Sequence, residues 1–188
     1  EFFGSQVNSL WSIDLFRVDS ILLKTHWILV CMDQHSRRII GFAVTRGSVT
    51  AESLCRMFND AICNSLSKHL SRDNDPLFRA HQWKSLIRVL ELDEVTGVPF
   101  VPTSGPFIER LIGTVRREFT DRIFFWNAYD LMKKLDQFKV FYNEARIHYS
   151  LNGKMPDSVT TGTSKTCPIK DLTWRSYCSG LYCVPIAA

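Results

Sequence analysis

The chain has 188 residues, with 23 Lys and Arg against 19 Asp and Glu, a formal net charge of +4 and a pI near 8.8. With 45% hydrophobic residues, and roughly 70% of the unfolded surface buried by a domain of this length, it can build a packed core without disulfide or metal, which excludes a disordered or collagen-like chain. Apolar runs are too short to span a membrane and residues 1–6 lack the features of a secretory leader, so a soluble intracellular protein is expected. Opening on Glu1, with no methionine, marks the chain as an expected fragment. Six cysteines, at positions 31, 55, 63, 167, 178 and 183, form no Cys-x-x-Cys and read as small buried apolar residues, not as zinc ligands.

In chain order, Asn8 to Asp19 reads as a strand, with Leu10, Ile13, Leu15 and Val18 interleaved with Trp11 and Phe16. Ile21 to Met32 holds two β-rich runs around Lys24-Thr25, and Arg38 to Thr45 is a third strand after the turn at Asp33-Gln34-His35-Ser36. Connections this short hold no helix, so the strands form an antiparallel meander. From Thr50, a candidate N-cap, apolar residues recur at Leu54, Met57, Phe58, Ala61, Ile62 and Leu66, the period of a one-faced helix.

His69 to Asp73 is expected as a short strand, Phe78 to Leu86 as a second helix, and Arg88 to Leu92 as a strand parallel to its predecessor. Asp93 to Gly105, with Gly97, Pro99, Pro102 and Gly105, reads as a mobile loop. Pro106 suits the first turn of a helix capped by Ser104 or Gly105 and running to about Arg122; Tyr129 to Arg146 forms another. The expected domain is 1–158, with a tail of 159–188 supplying one short strand from Trp174. This order gives an α/β fold with a mixed sheet covered by helices.

Three carboxylates occupy telling places. Asp14 lies within an apolar strand, where desolvating a charge costs several kcal/mol unless something pairs with it. Asp73 ends the fourth strand, and Glu109 is in the first turn of the Pro106 helix, where exposed amides favour negative charge. Strand ends and helix starts meet at the open edge of α/β sheets. Three oxygen donors suit Mg²⁺ or Mn²⁺, and two such ions about 3.5–4 Å apart are the usual device for in-line phosphoryl displacement, so the expected substrate is a phosphodiester.

The surrounding motifs give a resemblance. Asp73-Asn74-Asp75-Pro76-Leu77-Phe78 resembles the Asp-Asn-Gly-Pro-Glu-Phe segment of the retroviral-integrase and insertion-sequence transposase superfamily. Pro106 to Phe119 resembles its third-carboxylate helix, Trp11-Ser12-Ile13-Asp14 its first-strand motif, and Asp33 to Gly41 its second-hairpin motif. Tyr142 to Leu151 resembles the segment that ends a helix in many insertion-sequence transposases.

The resemblance covers about residues 8 to 158. It implies a ribonuclease H-like fold: a mixed five-stranded sheet, three antiparallel strands then two parallel, flanked by helices. It implies a DDE transposase or integrase core in which Asp14, Asp73 and Glu109 hold two Mg²⁺ or Mn²⁺ ions for DNA 3′-end cleavage and strand transfer. It also implies DNA and a second copy of the chain as partners, and a bacterial, nucleoid-associated setting. Arg116 and Arg117, two turns beyond Glu109, are expected on phosphates, with Arg37 and Arg38 as weaker candidates. The chain departs from the pattern at Asp75, where glycine is usual, and at Leu77, where glutamate is common. The alternatives are a ribonuclease H-like nuclease without strand transfer, and an inactive DNA-binding or assembly module. His35 and His148 read as structural, the five tryptophans as core or interface, and Phe124-Phe125-Trp126 as core packing or a self-association patch.

Overall fold

The protein is seen in a computed structural model that describes residues 10–62, 67–73, 75–96, 106–161 and 172–187. Strand β1 (Leu10–Asp19) is covered on both faces, which explains its nearly continuous apolar run. Side chains alternate across a strand, so Trp11 and Ile13 enter one apolar cluster and Phe16 the other. The meander continues with β2 (Thr25–Asp33) and β3 (Ile39–Arg46), both antiparallel to their predecessors. The first run expected around Lys24 is instead the β1–β2 turn, which leaves Ile21, Leu22 and Leu23 exposed.

Helix α1 (Ala51–Ile62) starts as its sequence predicts, with the Ser53 amide donating to Thr50 Oγ1 at 3.2 Å. Its apolar stripe, Leu54, Met57, Phe58, Ala61 and Ile62, packs on the sheet; the expected extension to Leu66 lies outside the described residues. The approach to β3 is close: a Cβ on Gly41 would stand 2.0 Å from the carbonyl oxygen of Ala61.

Beyond α1 come β4 (His69–Arg72), a 3₁₀ turn at Pro76–Arg79, α2 (His81–Val89) and β5 (Asp93–Thr96). The fifth strand therefore lies one segment later than expected. Arg88 and Val89 finish α2, whose Trp83 and Ile87 keep the helical period into the core, and Glu91 turns the chain at φ 53°. Residues 93–96, read as loop, are the strand; residues 97–105, including the candidate caps Ser104 and Gly105, lie outside the described residues. The sheet order is β3-β2-β1-β4-β5, with β4 parallel to both neighbours. The observed α/β architecture is the expected one: three antiparallel strands, then two parallel.

Helix α3 (Pro106–Thr114) does not run uniformly to Arg122. It widens into a π turn at Val115–Phe119 and tightens into a 3₁₀ turn at Thr120–Arg122. Helix α4 (Ala128–Glu144) is capped by Asn127, whose side chain accepts from the Asp130 amide at 2.9 Å. Helices α1 and α2 cover one face of the sheet; α3 and α4 cover the other.

After a short helix α5 (Pro156–Thr161), the tail forms two strands, β6 (Leu172–Tyr177) and β7 (Tyr182–Ala187), where one was expected. The left-handed Cys178 and Ser179 turn the chain, and Tyr182 stacks on Phe141 of α4 with centroids 3.9 Å apart.

Of the cysteines, Cys31 is buried as expected, Cys55 and Cys178 are half-buried, Cys183 is exposed, and Cys63 and Cys167 lie outside the described residues. Trp11 and Trp83 are core, whereas Trp126, Trp174 and Phe124 are exposed and only Phe125 of its trio is buried. No described helix is long and apolar enough to cross a membrane.

The β3 edge is closed by a side chain. Asn143 of α4, 3% exposed, accepts from the Ile39 amide and donates to the Ile39 carbonyl, both at 2.9 Å, standing in for a missing neighbour strand. Asn143→Leu should cost about 1–3 kcal/mol by stranding both backbone groups, and Gly41→Ala a similar amount by overpacking α1 against β3. Both are read as lowered denaturant midpoints.

Candidate active site

Strand register brings the first two carboxylates together. In the parallel β1–β4 ladder Ser12 lies opposite Ser71 and Ile13 opposite Arg72, so the next step sets Asp14 beside Asp73. Period-two alternation puts Ser12, Asp14, Ser71 and Asp73 on the face that α3 covers. Glu109, in the first turn of α3, reaches the same place. One cavity of about 60 Å³ is lined by all three carboxylates together with Ser12, Ser71, Arg72 and Ile108.

The site's electrostatics follow from that convergence. Burial, and then the like charges of Asp73, Glu109 and Asp75, push the Asp14 carboxyl up from 3.8 to about 6, against one hydrogen bond from the Leu15 amide at 2.7 Å. Three oxygen-only side chains from three elements are a donor set for a hard cation such as Mg²⁺ or Mn²⁺. They do not form a closed cage: among the described residues no group of three His, Cys, Asp or Glu side chains stands close enough to hold one ion. A divalent ion bound among them would draw the carboxylates inward.

Several neighbours were not legible as part of the site. Arg72 donates to Glu94 from Nε at 2.7 Å, Trp83 Nε1 donates to the same Glu94 oxygen at 2.7 Å, and Arg72 Nη1 reaches the Asp73 carbonyl at 3.2 Å. This network ties β5 and α2 to the strand end that carries Asp73. The misplaced fifth strand concealed it, since Glu94 becomes a partner only when it stands on β5.

Asp75 has its own task. Its side chain accepts from the Leu77 amide at 2.8 Å and caps the 3₁₀ turn, and at φ −57° the position makes no demand for glycine. In the Asp33–Ser36 turn, Asp33 accepts from the amides of His35 and Ser36, while Gln34 donates to Ser12 Oγ beneath the cavity. His148 is buried, edge-on to Tyr142, and held down to about 4 by burial and by Arg146, in keeping with a structural residue.

The four arginines do not line the carboxylate cavity. Arg116 and Arg117 are exposed on the π turn, with Arg116 beside Arg17 and Asp19 at the far end of β1. Glu118, next to Arg117 in sequence, is held by Arg146 through two bonds of 2.8 and 3.0 Å. Arg38 pairs with Asp157 at 2.7 Å, and Arg37 lies over the Phe107 ring, 3.3 Å from its centroid, in a separate cavity.

Residues 95–156 match the integrase core domain family. Over 118 residues the chain is 27% identical to the Gag-Pol polyprotein of Bovine immunodeficiency virus, a match covering 61% of this chain and 7% of the polyprotein. Among solved structures, the catalytic core domain of BIV integrase superposes with a TM-score of 0.56 at 21% identity, over 85% of this chain and 95% of that one. The fold is that of an integrase catalytic core.

The HTLV-2 integrase catalytic core domain, solved in complex with magnesium, gives a TM-score of 0.60 at 15% identity, over 84% of this chain and 99% of that one. A chain of the simian T-cell lymphotropic virus intasome gives 0.67 at 17% identity, over 91% of this chain and 63% of that one. The integrase core match contains Glu109 and the Tyr142–Leu151 segment; Asp14 and Asp73 lie before it and are aligned with Glu109 by the fold. These relatives are viral and lend the bacterial setting no support.

The raised Asp14 has a stability consequence. An aspartate ionising near 3.8 in the unfolded chain and near 6 in the fold makes the folded state hold the extra proton between those values, so its destabilising charge develops as pH rises from about 4 to about 6 and persists above. Asp14→Asn keeps the acceptor for Leu15 and removes that charge. In the absence of divalent cations it should stabilise the protein by roughly 1–2 kcal/mol at about pH 7 and by little at about pH 4, read from melting curves at the two values.

Proposed function

We propose that the chain is the catalytic core of a DNA-cleaving and strand-joining polynucleotidyl transferase, with Asp14, Asp73 and Glu109 as the ligands of two Mg²⁺ or Mn²⁺ ions. The observation that carries the reading is the single cavity on whose walls these three carboxylates, from two parallel strands and a helix start, stand together. When bound, the ions supply activation of the attacking oxygen and stabilisation of the leaving one. The chain's own residues do the positioning. The β1–β4 ladder fixes Asp14 against Asp73, the Arg72–Glu94–Trp83 network fixes the end of β4, and Ile108 and Leu111 anchor the helix that offers Glu109.

In the first reaction water attacks a phosphodiester and leaves a 3′-hydroxyl. In the second that hydroxyl attacks a phosphodiester of target DNA, with another 3′-oxygen as leaving group and no covalent protein intermediate. Arg116 and Arg117, exposed beyond Glu109, are assigned to DNA phosphates, and Arg38 is the weakest such candidate because Asp157 already engages its charge. The working form is a homo-oligomer on DNA; the exposed Leu22, Leu23, Phe124 and Trp126 offer apolar surface for it.

The test is conversion of a pre-cleaved DNA end, with Mn²⁺, into a product joined to target DNA. Glu109→Gln should abolish that product and leave DNA affinity nearly intact. Joined product surviving the change sinks the triad; cleavage without joining favours the nuclease, and neither reaction, with no Mn²⁺-induced rise in melting temperature, favours an inactive module. Replacing Arg116 and Arg117 by Gln together should flatten the slope of log affinity against log salt by about 2.

A further inference from the structure

A second cavity, of about 360 Å³, opens on the other side of α3. At 100° per residue, Phe107, Arg110 and Thr114 share a helix face roughly opposite that of Ile108 and Glu109, so one helix separates the two cavities. The walls carry Arg37 from the β2–β3 turn, Arg110 from α3 and Arg146 from the end of α4. Glu118 neutralises Arg146, and among the described residues no carboxylate pairs with Arg37 or Arg110. Arg37 lies flat on Phe107, and its Nε and Nη1 are buried without a hydrogen-bond partner. Burial acts most strongly against its charge, and Arg110 adds to that, while Tyr142 and the more distant Asp33 favour it without reversing the balance. Buried guanidinium donors left unsatisfied beside a second cation call for an anion with several acceptor oxygens.

The rim adds a second requirement. Tyr149 is 100% exposed on a turn closed by His148 N to Lys154 O at 3.1 Å and Gly153 N to His148 O at 3.0 Å. A fully exposed aromatic ring on a tight turn beside a basic pocket is the arrangement that stacks a nucleobase while arginines hold its backbone. A phosphorylated or acidic peptide would use the arginines but gains nothing particular from the ring. We propose that this cavity is a second nucleic-acid site, which holds a backbone phosphate between Arg37 and Arg110 and stacks an unpaired base on Tyr149. The inference rests on the reading above only in taking nucleic acid as the ligand; it does not require the carboxylates to be catalytic.

The test uses the whole chain in EDTA with a labelled single-stranded oligonucleotide and the blunt duplex of the same sequence. Arg37→Gln with Arg110→Gln should lower single-strand affinity about tenfold or more and flatten its salt dependence. Tyr149→Ala should weaken single-strand binding by about fivefold or more and duplex binding by less, with Tyr149→Trp restoring the parent value. Unchanged melting temperatures separate these effects from misfolding. Equal losses on both DNAs, no loss in any variant, or displacement of a phosphopeptide in place of the oligonucleotide would each overturn the proposal. Glu109→Gln should leave this binding unaltered, and the pocket variants should keep the parent's Mn²⁺-induced melting shift, so failure here and failure of the triad are told apart.

Discussion

The candidate site depends on holding like charges together at the centre of a sheet. β1 is the middle strand and is covered on both faces, so Asp14 is carried into low dielectric by the same pairing that buries Trp11, Ile13 and Phe16. Parallel register then delivers Asp73 alongside it, and α3 brings Glu109. Burial raises the Asp14 carboxyl more than the charge of its neighbours does. The fold tolerates this because its stability comes from two separate apolar clusters, one on each side of the sheet, and neither relies on the acidic cavity.

What the sequence showed and what it hid divide along physical lines. The meander and α1 were legible because their side-chain periods are strong and their connections short. The convergence of Asp14, Asp73 and Glu109 on one cavity was legible because the residues around them carry local turn and cap chemistry as well as charge. β5 was not: it is four residues long at the sheet edge, and the apolar Val89, Leu90 and Leu92 before it imitate a strand better than Asp93-Glu94-Val95-Thr96 does. The β6–β7 hairpin carries one turn signal, Ser179-Gly180, but the left-handed bend begins at Cys178, a residue type that does not announce it, and the aromatic-rich residues on either side read as one run. The Arg37–Arg110–Arg146 cavity was invisible because its members come from three distant elements with no shared spacing.

Helix α3 is where the two halves of the molecule are reconciled. Its first two turns face the carboxylates with Ile108 and Glu109 and the basic cavity with Phe107 and Arg110. The π turn that follows adds a residue to the helical repeat, which lets Phe119 stack on Phe138 of α4 while Glu118 meets Arg146. A uniform α-helix to Arg122 would turn these side chains by a large fraction of a turn and break one contact or the other. The local irregularity therefore serves packing and charge pairing at once.

The Tyr142–Leu151 segment shows why a run of mixed residues can read as a motif without being catalytic. Asn143 closes the β3 edge, Arg146 engages Glu118, Tyr142 and His148 pack edge to face, and Tyr149 is left at the surface. Each task needs its own residue type at a fixed distance from the end of α4, so the pattern is set by geometry along the whole segment. Because Asn143 grips Ile39, just beyond Arg37 and Arg38, the same segment also fixes where the β2–β3 turn ends. The position of Arg37 over Phe107 is thus tied to the hydrogen bonds that seal the sheet edge, and through Gln34 and Ser12 the same turn also touches the acidic cavity.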